Sequence, residues 1–96
     1  MKSTEARHVT IKAQVAHVLG DVKKATYEGR PWTYTYQGQG ALFPETAEEL
    51  AELGYDVKVV KRADDSLSTN RVSWANAEGN RRGKVEWIEE AGEEPA

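Results

Sequence analysis

The sequence predicts an α+β domain in which two helices pack on a small, largely antiparallel four-stranded sheet. Three observations carry that expectation. Apolar residues recur at helical spacing near the N-terminus, at Ile11, Val15, Val18, Leu19, Val22 and Ala25. Residues 44–60 (PETAEELAELGYDVKVV) read as a short helix that stops at a glycine and turns into a strand. Three further runs, 32–36, 71–75 and 84–88, alternate apolar or aromatic residues with polar ones as half-buried strands do.

Taken in order, the elements are unequally sharp. Ser3 or Thr4 suits the start of the first helix with Glu5 in its first turn, yet the alternation His8-Val9-Thr10-Ile11 fits a short strand equally well. Its end is clearer, because Gly29 suits the left-handed position after a helix and Pro31 cannot continue one. Trp32-Thr33-Tyr34-Thr35-Tyr36 then reads as a strand whose period of two sets Trp32, Tyr34 and Tyr36 on one face. The first helix is expected to meet that aromatic face through Val15, Val18, Leu19 and Val22. After a glycine-bearing loop over 37–43, Thr46 and Glu49 stand at capping-box spacing and Pro44 suits a helix start. Ala47, Leu50, Ala51 and Leu53 give this second helix a buried side, and Gly54 closes it with Tyr55 folding back on the last turn.

Residues 56–62 read as a strand with Val57 and Val59 inward and Lys58 outward, and 63–70 as a polar loop. Between the last two strands, 76–83 (NAEGNRRG) has the glycine and asparagine of a wide hairpin turn. Residues 1–88 thus form a single α+β domain, and the acidic run 89–96 is expected to be a disordered tail.

Composition excludes several classes. A chain of 96 residues makes one domain and buries roughly 60 to 65% of the surface its unfolded form exposes. With no cysteine, neither a disulfide framework nor a thiolate zinc site is available. The N-terminal MKSTEARHVTIK lacks the apolar run of a signal peptide, and no stretch approaches the roughly 18 apolar residues of a membrane span. Neither export by a signal peptide nor membrane insertion is expected. The net charge of -3 divides unevenly, with +3 over residues 1–42 and -6 over 43–96. An acidic total argues against general nucleic-acid binding, where clustered Lys and Arg supply most of the affinity.

The catalytic inventory is thin. His8 and His17 lie nine apart with no HExxH spacing, so no metal site is expected, and His17 and Asp21 read as a surface pair worth about 0.3 to 0.5 kcal/mol. Gly38-Gln39-Gly40 lacks the Lys-Ser/Thr of a phosphate loop, and Pro44 and Glu45 open the next helix where a nucleotide site wants free amides. Ser66, Ser68 and Ser73 have no nucleophile elbow, and Glu45, Glu48, Glu49 and Glu52 read as a solvated helix face. No cofactor and no enzymatic activity are expected.

One resemblance is carried by Glu45-Thr46, Leu50, Leu53-Gly54-Tyr55 and Val57, followed by Val72-Ser73-Trp74. These residues resemble a pattern in small hypothetical proteins of tailed bacteriophages, where an ETxxxLxxLGYxV helix and strand precede an ISW-type strand. Val72 stands where isoleucine is usual, and the extra hairpin expected at the end and the acidic tail depart from the pattern. The resemblance implies a phage origin and brings no catalytic residues; with no cysteine, a place in the host cytoplasm or the virion is expected.

The candidate interaction residues are the aromatics Trp32, Tyr34, Tyr36, Trp74 and Trp87, with Arg81 and Arg82 at the last turn. Packing beneath the helices is the favoured fate of the rings, since the chain has one phenylalanine and few leucines to fill its core. The alternative is a protein interface or small-ligand pocket. The expected function is a non-catalytic interaction or assembly module, phage-encoded and virion-associated, with a protein partner or self-association. Its alternative is a small inhibitor that binds a host defence protein or sequesters a nucleotide, stacking a base on Trp or Tyr and meeting phosphate with Arg71, Arg81 or Arg82.

Overall fold

In the computed structural model, which describes residues 1–90, the chain runs α1 (Ser3–Tyr27), β1 (Trp32–Thr35), α2 (Pro44–Glu52), β2 (Asp56–Arg62), a 3-10 turn (Asp65–Leu67), β3 (Thr69–Ser73) and β4 (Val85–Glu90). The four strands form one sheet in the order β1-β3-β2-β4. β3 pairs antiparallel with both β1 and β2, while β4 runs parallel to β2 on the other edge. The expected α+β architecture, two helices and a largely antiparallel sheet, is what forms.

α1 is helical from Ser3, so residues 8–11 belong to it and not to a strand. Its inward stripe is Ile11, Val18, Val22 and Ala25, buried, with Val15 and Leu19 half-buried beside them. Both helices end in the same way. Arg30 N donates to Ala25 O and Gly29 N to Thr26 O at the end of α1; Tyr55 N donates to Leu50 O and Gly54 N to Ala51 O at the end of α2. This double bond pattern requires a left-handed residue, and Gly29 and Gly54 supply it with φ of 80° and 100°.

α2 starts differently from its expected capping box. Phe43 is the N-cap, without a side-chain cap bond, and Pro44 and Glu45 occupy the first turn. Thr46 sits inside the helix, fully buried, and its hydroxyl donates to Gln14 Oε1 of α1 at 2.7 Å. The same oxygen accepts from Phe43 N at 3.2 Å, so the neighbouring helix takes up the N-cap amide of α2. Leu53, expected on the buried side, is the C-cap and 60% exposed; Ala47, Leu50 and Ala51 carry the burial.

The core between helices and sheet is aliphatic: Val18 and Val22, Leu42, Ala47 and Leu50, then Val57, Val59 and Val72 from the sheet. Both helices therefore cover one face of the sheet. β1 turns Thr33 and Thr35 toward it, and Thr35 Oγ1 donates to Asp21 Oδ2 of α1 at 2.7 Å. The aromatic face of β1 points away from the helices, which corrects the expectation that α1 meets Trp32.

The second correction concerns the connection from β3 to β4. Residues 74–84 do not close a hairpin, because both edges of β3 are already paired; they carry the chain past β2 to its free edge. The connection is fastened at the end of α2, where Gly83 N donates to Ala51 O at 2.8 Å, and at the start of β2, where Val57 N donates to Lys84 O and Lys84 N to Asp56 Oδ1. β4 extends to Glu90, taking the first two residues assigned to the tail; residues 91–96 lie outside the described part.

Asn70, on β3 and 1% exposed, organises the loop between β1 and α2. Its Nδ2 donates to Thr35 O at 3.2 Å and Gly40 O at 2.9 Å, and its Oδ1 accepts from Leu42 N at 2.9 Å. Asn70→Ala strands these buried backbone groups, so the variant is expected to lose on the order of 3 kcal/mol in denaturant unfolding. Two glycines give a contrasting pair. A Cβ at Gly83 would lie 1.9 Å from Tyr55 O, so Gly83→Ala displaces the crossover and lowers stability, whereas the exposed Gly20 in α1 has open space around it and Gly20→Ala raises stability by about 0.5 to 1 kcal/mol. Thermal melts of the two variants check both signs.

Candidate functional site

The bare face of the sheet follows from the period of two in each strand. Where Thr33, Thr35, Asn70, Val72, Val57 and Val59 point to the helices, their neighbours point outward. One row crosses all four strands, as Tyr34 pairs with Arg71, Arg71 with Lys58 and Lys58 with Glu86. On one side of it lie Trp32, Ser73 and Asp56; on the other lie Thr69, Val60 and Ile88.

Trp32 and Tyr34 meet edge to face, with centroids 5.6 Å apart. Two guanidiniums flank the indole, Arg71 at 5.1 Å and Arg30 at 5.5 Å from the ring centroid, a contact worth about 0.5 to 1 kcal/mol at an exposed site. Tyr34 is 43% exposed. Arg30 also holds Glu28 at 2.6 Å, and that hydrogen bond draws the Glu28 carboxyl below its usual pKa. Arg71, Lys58 and Lys84 make no ion pair among the described residues. They line a shallow depression of about 340 Å³ together with Asp56, Ser73, Asn76 and Glu86.

The other aromatics lie on the helix side. Trp74 packs against the core rim and meets Tyr55 edge to face at 6.0 Å. Trp87, opposite Val59, also packs on the core, and its indole N–H donates to Glu89 Oε1. Tyr36 does not share the face of Trp32 and Tyr34. It stands just beyond β1 with φ of 53°, which turns its ring onto the core and within 4.5 Å of the His17 ring. The period of two that aligned the three rings fails where the backbone enters the left-handed region.

Arg81 and Arg82 lie in the crossover, not at a hairpin tip. Arg82 pairs with Glu48 of α2, and Arg81 with Glu78 at 3.7 Å. Their charges are already answered by the chain's own carboxylates. Beside Tyr36, His17 Nε2 stands 3.4 Å from Asp21 Oδ2, which also accepts from Thr35, so this expected surface pair belongs to a larger polar contact between α1 and β1. Among the described residues no group of three or more His, Cys, Asp or Glu is placed to hold a metal, and no helix is long and apolar enough to cross a membrane.

Sequence reasoning named the two rings and Arg71 but missed Val60, Ile88 and Arg30. Val60 and Ile88 were hidden because an apolar residue in a strand reads as inward; the outward position of Lys58, two residues before Val60, was the available signal. The chain matches no protein-family model, and no curated protein and no solved structure matches it.

Burial, and secondarily the charge of Asp21, raise the pKa of Tyr36. The folded state therefore holds this proton more tightly than the unfolded chain. Its contribution is complete below the ordinary tyrosine pKa of about 10 and is lost as pH rises above that value. In a phenolate absorbance titration, Tyr36→Phe is expected to remove a late-titrating tyrosine; an unchanged late step assigns it to another residue.

Proposed function

We propose that the chain is a non-catalytic interaction module that docks a protein partner on the bare face of its sheet, as a phage-encoded, virion-associated or accessory component. The observation that supports this reading is the outward placement of Trp32 and Tyr34 with Arg71 beside them, on the side of the sheet that neither helix covers. Tryptophan, tyrosine and arginine dominate binding hot spots because each offers a large contact area with a polar handle. Val60 and Ile88 extend the apolar part across β2 and β4. The resemblance to small phage proteins supplies the setting.

A nucleotide-sequestering role draws on the same residues, since Lys58, Arg71 and Lys84 surround one depression next to stackable rings. Asp56 and Glu86 line that depression too, and two carboxylates oppose a phosphate there. A protein surface, which brings both signs of charge, is the better complement.

Tyr34→Ala separates the readings. A ring this exposed is expected to cost about 1 kcal/mol or less in stability, in contrast to the 3 to 5 of a buried aromatic, while protein binding falls at least tenfold. Arg81→Ala with Arg82→Ala is expected to leave binding within a few-fold of wild type. Undiminished binding by Tyr34→Ala, or tight uptake of free nucleotide by the wild type, contradicts the proposal.

A further inference from the structure

The geometry points to the open edge of β1 as the place where a partner protein enters, through an extended segment that adds a strand to the sheet and carries a carboxylate on its outward side. This inference rests on the docking reading and names the form that its partner takes.

The backbone decides which groups the edge presents. Trp74 N donates to Pro31 O at 2.9 Å, one step before the register in which Trp32 faces Ser73, Thr33 faces Val72, Tyr34 faces Arg71 and Thr35 faces Asn70. Hydrogen-bonded pairs alternate along an antiparallel ladder, so Thr33 and Thr35 bond to β3, while the N–H and C=O groups of Trp32 and Tyr34 point to the free edge. The Tyr34 carbonyl accepts from the adjacent hydroxyl, Thr33 Oγ1, at 3.0 Å, as a carbonyl outside the ladder can. No other group among the described residues reaches Trp32 N, Trp32 O or Tyr34 N. Two N–H groups and a carbonyl at strand spacing are what an added strand pairs with.

The two edges of the sheet differ in charge. β4 exposes Glu86, Glu89 and Glu90, and carboxylates along an edge discourage pairing there. β1 has the sequence WTYT, with no charge and only β-forming residue types. Behind it, Arg71 reaches over the Trp32 ring from β3 and makes no ion pair among the described residues, whereas Arg30, on the same ring, already holds Glu28. A residue opposite Tyr34 on an added strand stands two strand spacings, roughly 9 to 10 Å, from Arg71, a gap that a glutamate and an arginine span together. A carboxylate at that position is the complement of the unpaired guanidinium.

A second copy fits this edge poorly. Two β1 strands would pair about 4.8 Å apart. The α1 helices, each held on its own β1 side by Asp21 to Thr35 and His17 to Tyr36, need about 8 to 10 Å between axes. A segment with no helix of its own meets no such obstacle. The contact is small, under about 1,200 Å², so binding is transient, with a Kd on the order of 100 μM.

Amide exchange and chemical shifts of residues 32–35, followed by NMR on the full chain, test the inference. In dilute protein Trp32 and Tyr34 are expected to exchange on the order of a hundredfold faster than Thr33 and Thr35. The probe is a capped eight-residue peptide of alternating threonine and valine with one central glutamate; main-chain groups carry the affinity, so its side chains matter little apart from the charge. At millimolar concentration it is expected to shift the Trp32 and Tyr34 amides and to slow their exchange at least fivefold. Lysine in place of the glutamate is expected to weaken binding about fivefold, Arg71→Glu to reverse that preference, and N-methylation of alternate peptide residues to abolish binding. Circular dichroism confirms that the variant is folded. Slow exchange of Trp32 and Tyr34 in the dilute chain means that the edge is closed, and it overturns the inference. So does a peptide at millimolar concentration that leaves both amides unmoved, or protection that rises with protein concentration alone, which names a second copy instead. In each of those cases, a protein partner still lost on Tyr34→Ala leaves the docking reading standing. If Tyr34→Ala also leaves every protein contact intact, the docking reading itself fails.

Discussion

The arrangement depends on one buried amide. Asn70 sits on the strand that has neighbours on both sides, and its side chain reaches into the layer between sheet and helices to hold the backbone on either side of the 36–41 loop. A buried amide that satisfies three backbone groups fixes geometry more narrowly than apolar contact does, because any shift leaves a polar group without water or partner. By pinning Leu42, it sets where α2 begins; Gln14 then completes that start from α1 through Phe43 N and Thr46. Two polar side chains, each serving more than one partner, orient the helices that an aliphatic core alone would let slide.

With both helices committed to one side, neither helix covers the other side of the sheet, where Tyr34, Lys58 and Glu86 are exposed and Trp32, Arg71, Val60 and Ile88 are half-buried. The rings there are a consequence of what fills the inside. Eight aliphatic residues, none larger than leucine, occupy the central layer, and β1 contributes two threonines to it, one of them bonded to Asp21. β1 turns Trp32 and Tyr34 to the opposite face, while Trp74, Trp87 and Tyr36 close the rim. Large aromatic area is thus distributed between a structural ring around the core and a patch held out to solvent, and the latter is what a partner would find.

The sequence read well where a local rule had no competitor. Gly29 and Gly54 marked helix ends because their left-handed positions exclude most other residues, and Val57 and Val59 were inward because Lys58 between them could only be outward. It misled where a rule fixes a relation but not its sign. A period of two says that Trp32 and Tyr34 share a face, not which face is buried, and the scarcity of phenylalanine and leucine pointed the wrong way. Residues 76–83 have the composition of a turn and do turn, yet whether the chain returns along β3 or crosses β2 is decided by β1 taking the first edge of β3. Thr46 matched a capping box, but Gln14 claimed its hydroxyl from a distance of 32 residues, which no local pattern records. The candidate surface was legible as a set of residue types; its membership needed the fold, since Tyr36 left it through a single backbone angle and Ile88 joined it through a parallel register.

The central claim is that neither helix covers the outward side of the sheet in the isolated chain. Solvent paramagnetic relaxation, followed by NMR across a dilution series with a neutral soluble probe, measures this residue by residue. The account predicts strong relaxation of Tyr34, Lys58 and Ile88 side chains in dilute protein and no relaxation of Val57, Val59 or Thr35 at any concentration. Protection of Tyr34 and Lys58 that persists at the lowest concentration would contradict it, because something within the chain would then already occupy the face.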